Sequence, residues 1–185
     1  MKRLLLILPA LLLVSPVLRA DGVDKRIFNQ APQPEQEITE PAPWKEGETP
    51  LPPYPQDSRM LPLSVDTANQ NFSFLIDPKS ISVGSDQVVR YAIAVESRSG
   101  ARNLFYEGMR CDTREYKLYA TGGGDGRWHP LSAPRWRPIS GDGAIHYRSD
   151  LYRFYLCVRG RPMGDVAAII DNIKYPRNID RDTLY

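Results

Sequence analysis

Cysteine and histidine are scarce: the 185 residues hold two of each, Cys111 and Cys157, His129 and His146. Structural zinc sites draw closely spaced Cys and His ligands, and neither a Cys-x-x-Cys nor a His-Glu-x-x-His spacing occurs. The Gly-x-Ser-x-Gly elbow of α/β-hydrolases is also missing. Beyond residue 18 no apolar run reaches the roughly 20 residues that a membrane helix needs. Excess charge is lacking too, with 24 basic against 22 acidic residues. A net basic domain or stripe usually marks nucleic-acid binders, so the composition argues against nucleic acid as a partner. The residues point to no catalytic residue, no metal site and no cofactor.

What is present begins at the N-terminus. Lys2 and Arg3 precede an apolar run from Leu4 to Val14, and Leu18-Arg19-Ala20 forms a small-residue cleavage site. This is the layout of a secretory signal peptide over 1–20, with cleavage near Ala20. Loss of Lys2, Arg3 and Arg19 turns the formal charge from +2 to −1. No cysteine precedes Cys111 to carry a lipid, so the expected product is a soluble periplasmic protein. In that oxidising compartment two cysteines read as one disulfide, Cys111 to Cys157.

Residues 21–62 read as an extended arm. From Ala31 to Pro62 there are nine prolines and six acidic residues, and proline fixes φ and removes amide donors. Trp44, Leu51 and Tyr54 are large for a free linker, which predicts docking on the following domain from Trp44 onward. The globular part is expected over 63–175, with a flexible tail at 176–185.

Period-two patterning predicts strands in that part. Phe72, Phe74 and Ile76 alternate, Asp77-Pro78 reads as a turn, and Ile81 and Val83 resume the pattern before Gly84-Ser85-Asp86 turns again. Val89, Tyr91, Ile93 and Val95 mark the clearest strand, with Arg90, Ala92, Ala94 and Glu96 on its other face. Asn103 to Cys111 is expected to be its antiparallel partner, and Tyr116, Leu118 and Ala120 the next strand. Arg127 to Trp128 and Arg135 to Ile139 supply edge pieces. Farther on, Leu151, Phe154, Tyr155 and Val158 recur at helical spacing behind Ser149 as N-cap, although apolar residues on both faces leave a strand open. Val166, Ile169, Ile170 and Ile173 behind Asp165, with Pro176 as stop, predict a second helix. The fold class is α+β: mainly an antiparallel sheet, a meander, with one or two C-terminal helices packed on it, preceded by the extended Pro-rich arm.

The run Glu107-Gly-Met-Arg-Cys-Asp-Thr-Arg-Glu-Tyr-Lys-Leu-Tyr-Ala120 is followed by Asp125-Gly126-Arg127-Trp128 and then Trp136. With Pro43-Trp44-Lys45-Glu46-Gly47, Leu51-Pro52, Ser82-Val83-Gly84, Val89-Arg90-Tyr91, Ser99-Gly100-Ala101-Arg102-Asn103 and the late Cys157, it resembles the CNP1-like family of exported Gram-negative proteins. The resemblance runs from about Trp44 to Cys157. It implies a secreted single domain and carries no functional residue with it.

The candidate chemistry is sparse. Glu107, Asp112 and Glu115 could pair across space as the carboxyls of a glycan (peptidoglycan) hydrolase, which is the alternative function. Ion pairing with Arg110, Arg114 and Lys117 is the ordinary explanation. His129 and His146 with Asp125 or Asp142 lack metal-ligand spacing, and the Gly122 to Gly126 run lacks the lysine and helix of a phosphate loop, which leaves a hairpin. The remaining constellation is basic and aromatic: Arg110, Arg114, Tyr116, Lys117, Arg127, Trp128, Arg135, Trp136 and Arg137. Arginine forks anions and stacks on rings, so these nine residues are the candidate site for an anionic envelope component or another envelope protein. A solvated sheet face with core tryptophans is the plainer reading. The acidic arm, with eight acidic and four basic residues over 21–60, could itself lie across the arginines.

Overall fold

A computed structural model describes residues 42–65, 71–140 and 147–176. The signal segment, the arm before residue 42, Asp142, His146 and the tail after Pro176 lie outside the described residues. The compact unit that holds the sheet begins at Pro43.

The chain forms an antiparallel meander with helices at its C-terminal end, as the patterning predicts. Strands β1 (Leu61–Leu63), β2 (Phe72–Val83), β3 (Val88–Ser97), β4 (Arg102–Arg110), β5 (Glu115–Gly122) and β6 (Trp128–Pro130) follow one another across the sheet. A seventh, β7 (Trp136–Pro138), also pairs with β5. Phe72 to Val83 is one strand, not two strands separated by a turn. Its register with β3 breaks between Asp77 and Ser82. Pro78 sits in that irregularity, where a missing ladder donor does no harm. The freed groups are satisfied locally: Lys79 N donates to Asp77 Oδ1 at 3.1 Å, and Ala92 N to Ser80 Oγ at 2.7 Å.

After β7 the chain enters α1 (Tyr147–Asp150), which runs without interruption into a π-helical segment at Leu151–Leu156. Ser149 is thus inside the helix and not its N-cap. Leu151, Tyr155 and Leu156 face the core, and the five-residue interval between the two leucines suits a π-helix, which the 3.6-residue template does not anticipate. Val158 leaves the helix altogether. It belongs to the short hairpin β8 (Cys157–Val158) and β9 (Arg161–Pro162), where it is exposed. Helix α2 (Val166–Lys174) is capped by Asp165, whose carboxylate accepts from Ala168 N at 2.9 Å, and it buries Ile169 and Ile173. Cys111 and Cys157 are disulfide-bonded.

Both faces of the sheet are covered. On the helix side, Phe74, Ile76, Tyr91, Ile93 and Met109 pack with Leu151, Tyr155, Leu156, Ile169 and Ile173. On the other side, Arg90, Ala92 and Ala94 are as buried as the apolar residues they alternate with, so Val88 to Val95 is buried throughout. The cover on that side is the arm.

Candidate functional site

The arm lies on the sheet from Pro43 to Met60, held by side chains from β3, β4, β5, β6 and β7. Trp44 sits under the guanidinium of Arg110, 3.7 Å from ring centroid to Cζ, with the Trp136 ring edge-on at 6.0 Å. Its indole N–H donates to the Asp86 carbonyl at 3.0 Å. Two residues on, Glu46 accepts from Lys117 Nζ at 2.6 Å and from the Tyr119 hydroxyl at 2.8 Å. Next come the prolines. The Tyr106 hydroxyl donates to the Pro50 carbonyl at 3.3 Å and Trp128 Nε1 to the Pro52 carbonyl at 2.9 Å, while Tyr54 packs on Trp128 and donates to the Gly123 carbonyl at 2.8 Å. Met60 closes the run against Ala94 and Leu104.

Two glycines make this surface possible. A Cβ on Gly108 would stand 2.5 Å from the Tyr119 hydroxyl oxygen, and one on Gly122 would stand 2.9 Å from that of Tyr54. Without those bare positions neither ring could lie across the sheet.

Asp86 fastens the start of the arm. Its carboxylate accepts from Gly47 N at 2.8 Å and from Arg90 Nη2 at 2.6 Å, and Arg90 Nε reaches Thr49 Oγ1 at 3.0 Å. Burial pushes this carboxyl up, but the hydrogen bonds from Arg90, Gly47 and Val88 outweigh it and hold it at about 2. Desolvation likewise acts to lower Arg90, and its bond to Asp86 more than reverses that. Because the folded-state value lies below the unfolded one, the stabilisation is full above the ordinary carboxyl range and is lost as pH falls through about 2. An acid titration followed by tryptophan emission is therefore expected to show the arm loosening between about pH 4 and 2, and Asp86→Asn is expected to remove that step. If the step survives in Asp86→Asn, Asp86 does not control the arm.

A second polar cluster lies under the helices. Glu107 is fully buried on the core face of β4. It accepts from Tyr91 OH at 3.1 Å, Tyr147 OH at 3.0 Å, Arg148 Nε at 3.1 Å and Arg148 Nη2. Arg148 also lies over the rings of Tyr116 and Tyr147, 4.0 and 4.5 Å from their centroids. Burial first, then the Glu107 charge, pushes both Tyr91 and Tyr147 up, so both hydroxyls stay donors. For Arg148 the Glu107 carboxylate overrides the downward pull of burial. The ion pairing expected of Glu107 with Arg110, Arg114 or Lys117 is thus corrected. Those three chain neighbours lie elsewhere, and Glu107's partner comes from α1, 41 residues away. Asp112 and Glu115 instead pair with Arg110 in the β4–β5 turn, at 2.9 and 3.6 Å, so the three carboxylates do not share a cleft.

The nine basic and aromatic candidates divide between surfaces. Arg110, Lys117, Trp128 and Trp136 meet the arm. Tyr116 points to the helix side beneath Arg148, and Arg137 stands opposite it in the β5–β7 register. Arg114 lies over Tyr152, 5.5 Å away, while Arg127, Arg135 and Arg137 are exposed. Composition did not single out Arg90, Tyr106 and Tyr119, which complete the arm-facing surface. A separate groove of about 1050 Å³ runs along α2, lined by Tyr152, Val158, Arg159, Met163, Ala168 and Tyr175 among others. It shares no residue with the arm-facing surface. His129 pairs with Asp125 at 3.2 Å on the exposed β5–β6 hairpin, and among the described residues no group of three His, Cys, Asp or Glu could hold a metal ion. No helix among the described residues is long and apolar enough to cross a membrane.

No curated protein and no solved structure matches the chain. The CNP1-like family model does match, over residues 39–174, a span that takes in the arm from before Trp44, every strand and both helices. The chain belongs to the CNP1-like family.

Proposed function

We propose that the protein is exported to the periplasm of a Gram-negative cell, loses residues 1–20, and works there as a non-catalytic binding domain of the envelope. Its recognition surface is the sheet face built from Arg90, Tyr106, Arg110, Lys117, Tyr119, Trp128 and Trp136. One observation carries this reading: the face already holds an extended segment through a ring stacked on a cation, a carboxylate met by an ammonium and a phenol, and two carbonyls met by aromatic donors. The partner is anionic, because Arg110 stacks on Trp44 and both Lys117 and Arg90 reach Glu46, and the acidic arm covers the face when that partner is absent.

Protein recovered from the periplasm is expected to start at Asp21 and to bind dextran sulfate but not neutral dextran, as read by tryptophan emission. The affinity should fall as salt rises, since exposed charges are screened beyond about 8–10 Å at physiological ionic strength. Arg110→Gln with Lys117→Gln should weaken binding, whereas Arg135→Glu with Arg137→Glu should leave most of it. The reverse ranking, or binding indifferent to salt, would place the ligand on another surface.

A further inference from the structure

We infer that this face reads proline-rich chain, and that its partner is an extended proline-rich segment of a second protein, carrying an aromatic ring two residues before a carboxylate and prolines a few residues further on. The inference rests on the reading of the face as a binding surface and gives that surface its ligand class.

A proline-rich strand has few amide donors, so a protein can grip its backbone mainly through the carbonyls. Aromatic side chains with a polar tip suit that task, because one group supplies both a flat apolar platform and a donor. The sheet presents such a platform. The rings of Tyr106 and Tyr119 lie 5.5 Å apart and those of Tyr106 and Trp128 5.9 Å apart, forming a connected floor. From it Tyr106 and Trp128 donate to carbonyls two residues apart, at Pro50 and Pro52. This is the chemistry by which aromatic-lined grooves take polyproline segments whose conformation is already set before binding. At one end of the floor, Arg110 and Trp136 frame an aromatic ring and Lys117 takes the acid that follows it.

The arm is an exchangeable occupant. Among the described residues no backbone-to-backbone hydrogen bond joins 43–55 to a strand, so releasing the arm breaks no ladder. Leu51 and Trp44 remain about two-fifths exposed while docked. The arm also leaves donors unspent: Arg110 Nε and Trp136 Nε1 are buried without a hydrogen-bond partner. A segment that offered an acceptor beside its aromatic ring would satisfy both, and so compete with a tethered arm that does not.

The test uses the full chain, natural and with Trp44→Ala plus Glu46→Ala, and a labelled peptide of residues 42–56 followed by fluorescence anisotropy. A tethered competitor acts at an effective concentration near the millimolar range, so the double variant is expected to bind the peptide about tenfold or more tighter than the natural chain. Adding Tyr106→Phe and Trp128→Phe removes the two donors to carbonyls but no cation, so it should weaken peptide binding by a larger factor than it weakens dextran sulfate binding. No peptide binding by the folded double variant overturns the inference. If dextran sulfate still binds, the anionic-surface reading survives that failure; if neither binds, both fall. Should the double variant not fold, the natural chain decides: weak saturable binding near about 1 mM peptide supports the inference, and none at that concentration overturns it.

Discussion

Arg148→Ala is expected to be among the most damaging single substitutions, costing roughly 3–5 kcal/mol, because it strips a fully buried carboxylate of its only cationic partner among the described residues. The two tyrosine hydroxyls that remain on Glu107 are neutral donors and do not replace the lost charge. The substitution also removes the group stacked between Tyr116 and Tyr147, so packing is lost along with the pair. For a domain of this size the loss lowers the thermal midpoint by roughly 6–20 °C. Arg148→Lys should recover only part of it, because an ammonium can neither fork the carboxylate nor stack as a plane. Replacing the whole cluster, Glu107→Leu and Arg148→Met with Tyr91→Phe and Tyr147→Phe so that neither buried hydroxyl is left without its acceptor, is expected to be far less costly than Arg148→Ala alone, since well-packed apolar groups commonly match or exceed the buried ion pairs they replace. Thermal melts of the four proteins check the ranking. If Arg148→Ala costs less than about 1 kcal/mol, the pair behaves like an exposed one.

The buried pair also shows what a sequence discloses and what it withholds. Strand parity places Glu107 with Phe105 and Met109, on the face that carries Tyr91 across β3, and a charged residue at that parity signals a buried group in need of a partner. The partner itself, 41 residues on in a helix, leaves no local trace. Strands β3 to β5 were legible because alternation is local and turn chemistry at Ser97 to Gly100 and Gly122 to Gly126 brackets them. Helix α2 was legible for the same reason, its cap and its period lying within a dozen residues. The π-helical segment was not, because Leu151 and Leu156 follow a rarer interval and both faces of the stretch are apolar. The docking of the arm was announced by Trp44, Leu51 and Tyr54, residues too large for a solvated linker. Where they would land was not, since Arg90, Ala92 and Ala94 read as the solvent side of a strand until a second layer covers them. The nine basic and aromatic candidates are close in sequence, and the period of two that defines the strands also divides them: Tyr116 and Lys117 are adjacent and so face opposite sides.

Replacing Cys111 and Cys157 together with serine is expected to cost roughly 2–5 kcal/mol, and the loop-entropy model puts the crosslink of residues 46 apart at about 4 kcal/mol. That is a large part of the 5–15 kcal/mol typical of a folded domain. The bond joins the end of β4 to the point where the π-helical segment gives way to β8, so it fastens the helical cover to the sheet at the place where helix geometry is poorest. Around it, the Tyr152 hydroxyl donates to the Cys111 carbonyl at 3.2 Å and Arg114 lies over the Tyr152 ring. These contacts persist without the bond and are too weak to replace it. The loss should therefore appear first as amide exchange at Leu151 to Val158 and in α2, and only at higher denaturant in β3 and β4, which both layers bury. A shift of the urea midpoint with unchanged slope would confirm a stability effect on the native fold. Two titratable thiols in the unfolded, unreduced natural protein would show that the bond does not form, and the expected difference would then vanish.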